Sequence, residues 1–426
     1  MCLLSSQNIE AQFDILTQLK KALPNAEFEE LDNGHHFSRE FIIMLEQPLD
    51  HNNPSAGTFQ QRLFLAHYDF NEPMLMVTEG YSAYPQYYEL SDMLKSNQLI
   101  IEYRFFGESK PENYDYNYLT NDQAVEDYHR IRNLLGKLYK SDWISTGISK
   151  GGTTCLIYKY KFPDDVKVTI PYVAPLPMGR EDRRFDAFFE TTGTEECRTK
   201  IKEFQIAALD MKEEIFYMVD SLASADSIQF NIIHTKKAYE YAVLEYPFSF
   251  WQYGQECNRI PENPDKYAIF KHLNQVVGLD FYCDASINYF KPSFYQFMTE
   301  NGYYGFQHAH LGDRFDYVSD FTNFPFAPEE AAGKYDPDYL KYVRVFLYHK
   351  GDKIIYIYGA NDPWTVCKLV PPKERDAVFI LRENGDHSTR ISSLTKVEQK
   401  IVETKLSDWL KRKVIPIQEI ITRGKP

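Results

Sequence analysis

Gly147-Ile148-Ser149-Lys150-Gly151 lies between a short apolar run, Trp143-Ile144-Ser145-Thr146, and a stretch with helical spacing, Thr153-Thr154-Cys155-Leu156-Ile157-Tyr158. A strand that passes into a helix within so few residues leaves no room beside the serine. A β-carbon at Gly147 or Gly151 would strike the neighbouring strand or helix. The same tight turn holds the Ser149 hydroxyl out over the top of a sheet, which makes Ser149 a candidate nucleophile.

This pattern is the nucleophile elbow of an α/β-hydrolase, and the surrounding chain agrees with it. Pro73-Met74-Leu75-Met76-Val77 and Leu99-Ile100-Ile101-Glu102-Tyr103 are apolar runs without alternation, as expected of parallel strands buried on both faces. A helical stretch near Tyr88 to Leu94 lies between them, another follows at Asn121 to Tyr139, and a strand is expected at Val166 to Ile170. Upstream, residues 8 to 31 read as an amphipathic helix followed by a loop. Phe37 to Leu45 and Thr58 to Tyr68 read as an antiparallel pair around the turn-rich segment Gln47 to Pro54.

From about Gly179 to Tyr335 the chain is charged, aromatic and helical in period. Strands resume at Lys353 to Tyr358 and Ala377 to Ile380, and Lys396 to Lys413 closes the chain as an amphipathic helix. The expected architecture is an α/β-hydrolase core (1–179 and 336–426) with an inserted, mainly helical cap domain (180–335).

Composition narrows the partners. The 426 residues carry 61 acidic against 47 basic side chains, a formal charge of −14, which would repel nucleic acid and favours cationic ligands such as free amino groups. With 32 Tyr against 4 Trp, the pockets and surface suit polar organic ligands such as peptides. No run of about twenty apolar residues offers a membrane span. The start Met1-Cys2-Leu3-Leu4-Ser5-Ser6 is too short for the apolar core of a signal peptide. Six widely spaced cysteines form no C-x-x-C pair. Cys197, Cys257 and Cys283 could supply one disulfide, with buried free thiols an equal alternative.

A serine nucleophile needs a base and an acid, which in this fold follow it in the order acid, then histidine, on loops beyond the last strands. Asp362, in Gly359-Ala360-Asn361-Asp362-Pro363-Trp364, and His387, in Glu383-Asn384-Gly385-Asp386-His387-Ser388, meet that order. His387 would take the Ser149 proton and return it to the leaving amine, and Asp362 would orient the ring. Asp386 ranks below Asp362, because neighbouring residues of an extended loop point apart. The oxyanion would be held by the backbone amide of Lys150 and by the loop Thr78-Glu79-Gly80-Tyr81, through Gly80 and Tyr81. His308-Ala309-His310 with Asp313 reads as a polar cap loop rather than a metal pair, and neither metal nor cofactor is expected.

Taken together, Gln47-Pro48-Leu49-Asp50-His51, Thr58-Phe59-Gln60-Gln61-Arg62, Thr78-Glu79-Gly80-Tyr81, Glu102-Tyr103-Arg104-Phe105-Phe106-Gly107-Glu108-Ser109, the elbow with Gly151 and Gly152, and Asp362-Pro363-Trp364 resemble the secreted serine tripeptidyl aminopeptidase family. More loosely, the same blocks, with Tyr295-Gln296, Thr299-Glu300 and Gly302, resemble the lysosomal proline-specific carboxypeptidases and dipeptidyl peptidases. Ile148 and Lys150 depart from the Gly and Tyr typical of those lysosomal relatives, which points to the tripeptidyl branch.

The resemblance implies a serine exopeptidase that releases short peptides, expected to be tripeptides, from a free amino terminus, and a secreted or periplasmic setting. Such an enzyme must hold a charged α-amine, for which a carboxylate is the natural partner. Glu79 is the first candidate, Glu300 the second and Glu102 the third, with a structural ion pair to Arg104 or another base as the rival reading of Glu102. Tyr303, Tyr304, Phe306 and Trp251 are candidate pocket aromatics, though aromatic side chains belong more often to the core. The rival functions are a proline-specific dipeptidyl- or carboxypeptidase, a carboxylic-ester hydrolase and a non-catalytic binding protein on the same fold.

Overall fold

The computed structural model describes residues 15–32, 36–112 and 115–423. After a helix α1 (15–22), the strands β1 (Glu27–Leu31), β2 (Arg39–Pro48) and β3 (Thr58–His67) form an antiparallel ribbon. Then follow β4 (Met74–Thr78), α2 (Glu89–Leu94), β5 (Asn97–Ile101), α3 (Asn121–Leu135), β6 (Trp143–Ile148), α4 (Lys150–Lys161) and β7 (Val168–Tyr172). No strand interrupts α5 (Arg184–Thr191), α6 (Glu195–Asp210), α7 (Lys212–Ala225), α8 (Thr235–Gln252), α9 (Lys266–Val276), α10 (Asp284–Gln296) and α11 (Tyr339–Lys350). The chain closes with β8 (Ile355–Gly359), β9 (Val378–Arg382), α12 (Lys396–Leu410) and α13 (Ile417–Arg423).

The strands make one nine-stranded sheet in the order β1-β2-β3-β5-β4-β6-β7-β8-β9, antiparallel up to the β3–β5 pair and parallel beyond it. This is the α/β-hydrolase fold. The unalternating runs behave as parallel strands do when helices cover both faces. Met74 and Met76 of β4 enter one apolar cluster with Leu156 of α4, whereas Leu75 and Val77 enter the other with Leu406 of α12.

One reading changes and one open alternative is decided. The segment expected to be a loop after the first helix is strand β1, while the beginning of that expected helix, 8–14, lies outside the described residues. Glu27, Glu29 and Glu30 carry little intrinsic strand preference, but pairing with β2, the Phe28–Phe41 edge contact and the Glu30–Arg39 ion pair supply the rest. An acid-rich outer strand also protects the sheet edge from further pairing. Of the three cysteines considered together, Cys197 and Cys257 form a disulfide and Cys283 stays a buried thiol.

Helix α8 carries Pro247 in its interior. Proline has no N–H, so the carbonyl four residues earlier loses its helical partner. Gln205 of α6 replaces it by donating its side-chain amide to the Val243 carbonyl at 2.8 Å. The disulfide fastens the same two elements, since Cys197 lies in the first turn of α6 and Cys257 shortly after α8. Trp364, from the loop after β8, packs against Phe185, Phe248, Tyr303 and Tyr304 of the helical region, with ring centroids 5.1 to 5.6 Å apart.

Candidate active site

Ser149 stands between the end of β6 and the start of α4 with φ 56° and ψ −123°. For a residue bearing a β-carbon, that left-handed backbone is strained, and its surroundings fix it. Its amide donates to the Tyr172 carbonyl and its carbonyl accepts the Thr153 amide, each at 2.9 Å. A β-carbon on Gly147 would run into the Gly151 carbonyl, and one on Gly151 would lie 2.5 Å from the Thr78 carbonyl oxygen. Gly147→Ala is therefore expected to lower stability by about 3 kcal/mol and to slow fluorophosphonate labelling of Ser149. An unchanged denaturation midpoint together with an unchanged labelling rate would contradict this account of the turn.

The loops after β8 and β9 interlock. The Asn361 amide donates to the Gly385 carbonyl at 2.8 Å, and the Ala360 amide to the Arg382 carbonyl at 2.9 Å. Asp362 is fully buried. Its Oδ1 accepts the Trp364 amide at 3.1 Å and its Oδ2 lies 2.7 Å from His387 Nδ1. With Nδ1 donating to a carboxylate, Nε2 is left to accept a proton. Asp386 is turned into its own loop, where Oδ1 accepts the amide and the hydroxyl of Ser388. The His387 amide donates to the Gln252 carbonyl at 3.1 Å, and Trp364 Nε1 donates to Gln252 Oε1 at 3.0 Å.

The candidate oxyanion loop is fastened to the elbow. Thr78 Oγ1 donates to the Gly151 carbonyl at 2.9 Å, and Lys150 Nζ donates to the Gly80 carbonyl at the same distance. Gly80 approaches so closely that a β-carbon there would sit 2.7 Å from Lys150 Cβ. Burial pushes the Lys150 ammonium well below the usual lysine pKa, and the group lies 3.6 Å from the centre of the Tyr103 ring, a cation–π contact. Among the described residues the backbone amides of Tyr81 and Lys150 donate to no protein acceptor.

The three candidate amine-binding carboxylates fare differently. Glu102 is wholly engaged: Oε1 accepts from Arg62 and from the Ala83 amide, and Oε2 from the amides of Glu108 and Ser109 and the Ser109 hydroxyl. Its base is Arg62 rather than Arg104, which pairs with Asp127. Glu300 accepts the Asn121 amide at 2.8 Å, and burial raises its pKa to about 8. Glu79 accepts the Tyr88 hydroxyl at 2.8 Å, with burial raising its pKa to about 7. His308 stacks on Phe321 and His310 contacts Gln205, so the two rings of the polar cap loop serve separate neighbours.

None of these three carboxylates lines the cavity into which Ser149 opens. That cavity, of about 230 Å³, is walled by Tyr81, Gln252, Tyr253, Phe281, Phe290, Phe297, Tyr303, Tyr304 and Trp364, and its carboxylate is Glu245. Tyr303 and Tyr304 thus reach the site, whereas Trp251 and Phe306 are core residues outside the lining. Glu245 and Gln252 escaped the sequence reading. Their only signal was two carboxylates, Glu240 and Glu245, and an amide within residues 239–252, a helical stretch that is buried on nearly every side. A larger depression of about 650 Å³ borders α6 and residues 260–264 and contains neither Ser149 nor any residue of the Asp362 and His387 loops.

Comparison with known proteins places the chain in a family. The sequence profile of the family described as PS-10 peptidase S37 matches residues 17–426. A prolyl tri/tetrapeptidyl aminopeptidase of Streptomyces mobaraensis is 30% identical over 408 residues, 93% of this chain and 85% of its own length. Among solved structures, proline iminopeptidase of Mycobacterium smegmatis is similar with a TM-score of 0.38 at 11% identity, over 82% of this chain and 96% of its own. Epoxide hydrolase A of Mycobacterium thermoresistibile is similar with a TM-score of 0.34 at 12% identity, over 82% of this chain and 95% of its own.

Proposed function

The chain belongs to the PS-10 peptidase S37 family, and from that premise we propose that it is a serine exopeptidase that releases short peptides, three residues long, from free amino termini through an acyl-enzyme on Ser149. The observation that carries the proposal is the His387 Nδ1–Asp362 Oδ2 contact of 2.7 Å, made by residues hydrogen-bonded to Gln252 and Trp364, which line the same cavity as Ser149.

In this reading the Ser149 oxygen attacks the scissile carbonyl carbon while His387 Nε2 takes its proton. The negative charge that grows on the carbonyl oxygen meets the amides of Lys150 and Tyr81, with Gly80 letting the chain approach. The carbon–nitrogen bond then breaks, His387 hands the proton to the departing amine, and water resolves the ester by the same steps in reverse. The aromatic wall offers flat apolar faces to the residue before the cut. A compact ring such as proline suits those faces, in keeping with the name of the Streptomyces relative.

The helical insertion between β7 and β8 acts as a cap that admits chain ends and excludes chain interiors, with residues 180–335 as the cap and 1–179 and 336–426 as the core. The Cys197–Cys257 disulfide favours an oxidising, extracytoplasmic setting, and among the described residues no helix is long and apolar enough to cross a membrane.

A peptide library with free and N-acetylated ends tests the proposal. Mass spectrometry should show tripeptides released from the free peptides and about 100-fold slower release from the acetylated ones. Equal rates on both, or cuts in mid-chain, would reject exopeptidase action.

A further inference from the structure

We infer that Glu245 is the carboxylate that receives the α-ammonium of the substrate, and so sets the requirement for a free amino terminus. The inference rests on the exopeptidase reading and adds to it the residue that recognises the chain end.

Location comes first. Glu245 lines the same cavity as Ser149, and Glu79, Glu102 and Glu300 do not. The second observation is an unbalanced charge. Glu245 is 7% exposed, and its partners are two neutral hydroxyls: Tyr304 donates at 2.7 Å and Ser249 at 3.2 Å. Among the described residues no Lys, Arg or His stands within ion-pair distance of it.

Glu240, on the same helix and also buried, shows how this fold treats a carboxylate whose task is structural. It pairs with Lys212 at 3.0 Å and accepts the amides of Asp316, Tyr317 and Val318. A buried charge without a countercharge is disfavoured, so one left unbalanced at the wall of a substrate cavity calls for a cation from the ligand. Burial accordingly raises the Glu245 pKa to about 7, and an arriving ammonium would favour the ionised form.

The cation could be the α-amine or a basic side chain, and the peptides distinguish the two. Glu245→Gln keeps shape and hydrogen-bonding capacity while removing the charge. It is expected to lower kcat/KM about 100-fold on a free-amine peptide, mainly through KM, and to shrink the preference for free over N-acetylated peptides by a similar factor. Fluorophosphonate labelling of Ser149 at the wild-type rate reports that the variant is folded and its nucleophile competent. Glu245→Asp retains the charge and should keep more of the free-amine preference than Glu245→Gln.

A Glu245→Gln enzyme that still prefers free amines as strongly as wild type would overturn the inference and leave the exopeptidase reading standing. Equal losses in the Asp and Gln variants would also overturn it. A loss that follows a lysine side chain in acetylated peptides would assign the carboxylate to a basic side chain instead. A wild-type enzyme indifferent to acetylation would remove the exopeptidase reading, and this inference with it.

Discussion

Ser149→Ala is expected to lower kcat on a free-amine peptide by about five orders of magnitude, the scale on which serine peptidases lose turnover without their nucleophile. The substitution is clean in this backbone. Alanine keeps the β-carbon, so the strain at φ 56° is the same before and after, and the Ser149 amide and carbonyl keep their bonds to Tyr172 and Thr153. Only the hydroxyl leaves. Stability should therefore match wild type, fluorophosphonate labelling should vanish and substrate should still bind. Turnover within tenfold of wild type would remove Ser149 from the chemistry and with it the acyl-enzyme.

The sheet around the elbow was legible because its constraints are local. Close packing forbids side chains at Gly147 and Gly151, and strands covered on both faces are buried throughout, as β4 and β5 are, which leaves the unbroken apolar runs at 74–77 and 99–101. Strand β1 was not legible, for a reason equally physical. Its Glu27, Glu29 and Glu30 become a strand through pairing with β2, a contact that the segment itself does not encode. The Cys197–Cys257 pairing had the same character, since helix packing rather than spacing brings α6 beside the segment after α8.

The site divides along the same line. Asp362 and His387 could be read because this fold delivers them on fixed loops in a fixed order, and the structure brings the two side chains together. The carboxylate we propose for the amino terminus comes from the helical segment between β7 and β8, which has no fixed order in this fold, so it left no positional signature. Glu79 stood out by its place in the oxyanion loop, yet it accepts the Tyr88 hydroxyl, and Glu102 is spent on Arg62 and on the Glu108–Ser109 turn. Glu245 is remote in sequence and shares a cavity with Ser149 only because α8 forms part of its wall.

Asp362→Asn offers the sharpest test of how the ring is held, with an expected loss in kcat of about 10⁴-fold and little change in KM. The direction follows from the Trp364 amide, which donates to Asp362 Oδ1 at 3.1 Å in a buried site. An asparagine must keep its oxygen on that donor or strand a buried N–H. Its NH2 then faces His387 Nδ1, where Asp362 presents Oδ2 at 2.7 Å. Facing a donor, Nδ1 must accept, so the ring proton moves to Nε2, the atom required to take the proton of Ser149. The base is thereby disabled without displacement of any group that touches substrate. Asp386→Asn is the control, because Asp386 serves Ser388 within its own loop and should keep most of the activity. If Asp362→Asn lost less than tenfold while Asp386→Asn lost more, the acid would be Asp386 and the present assignment of the orienting carboxylate would fall.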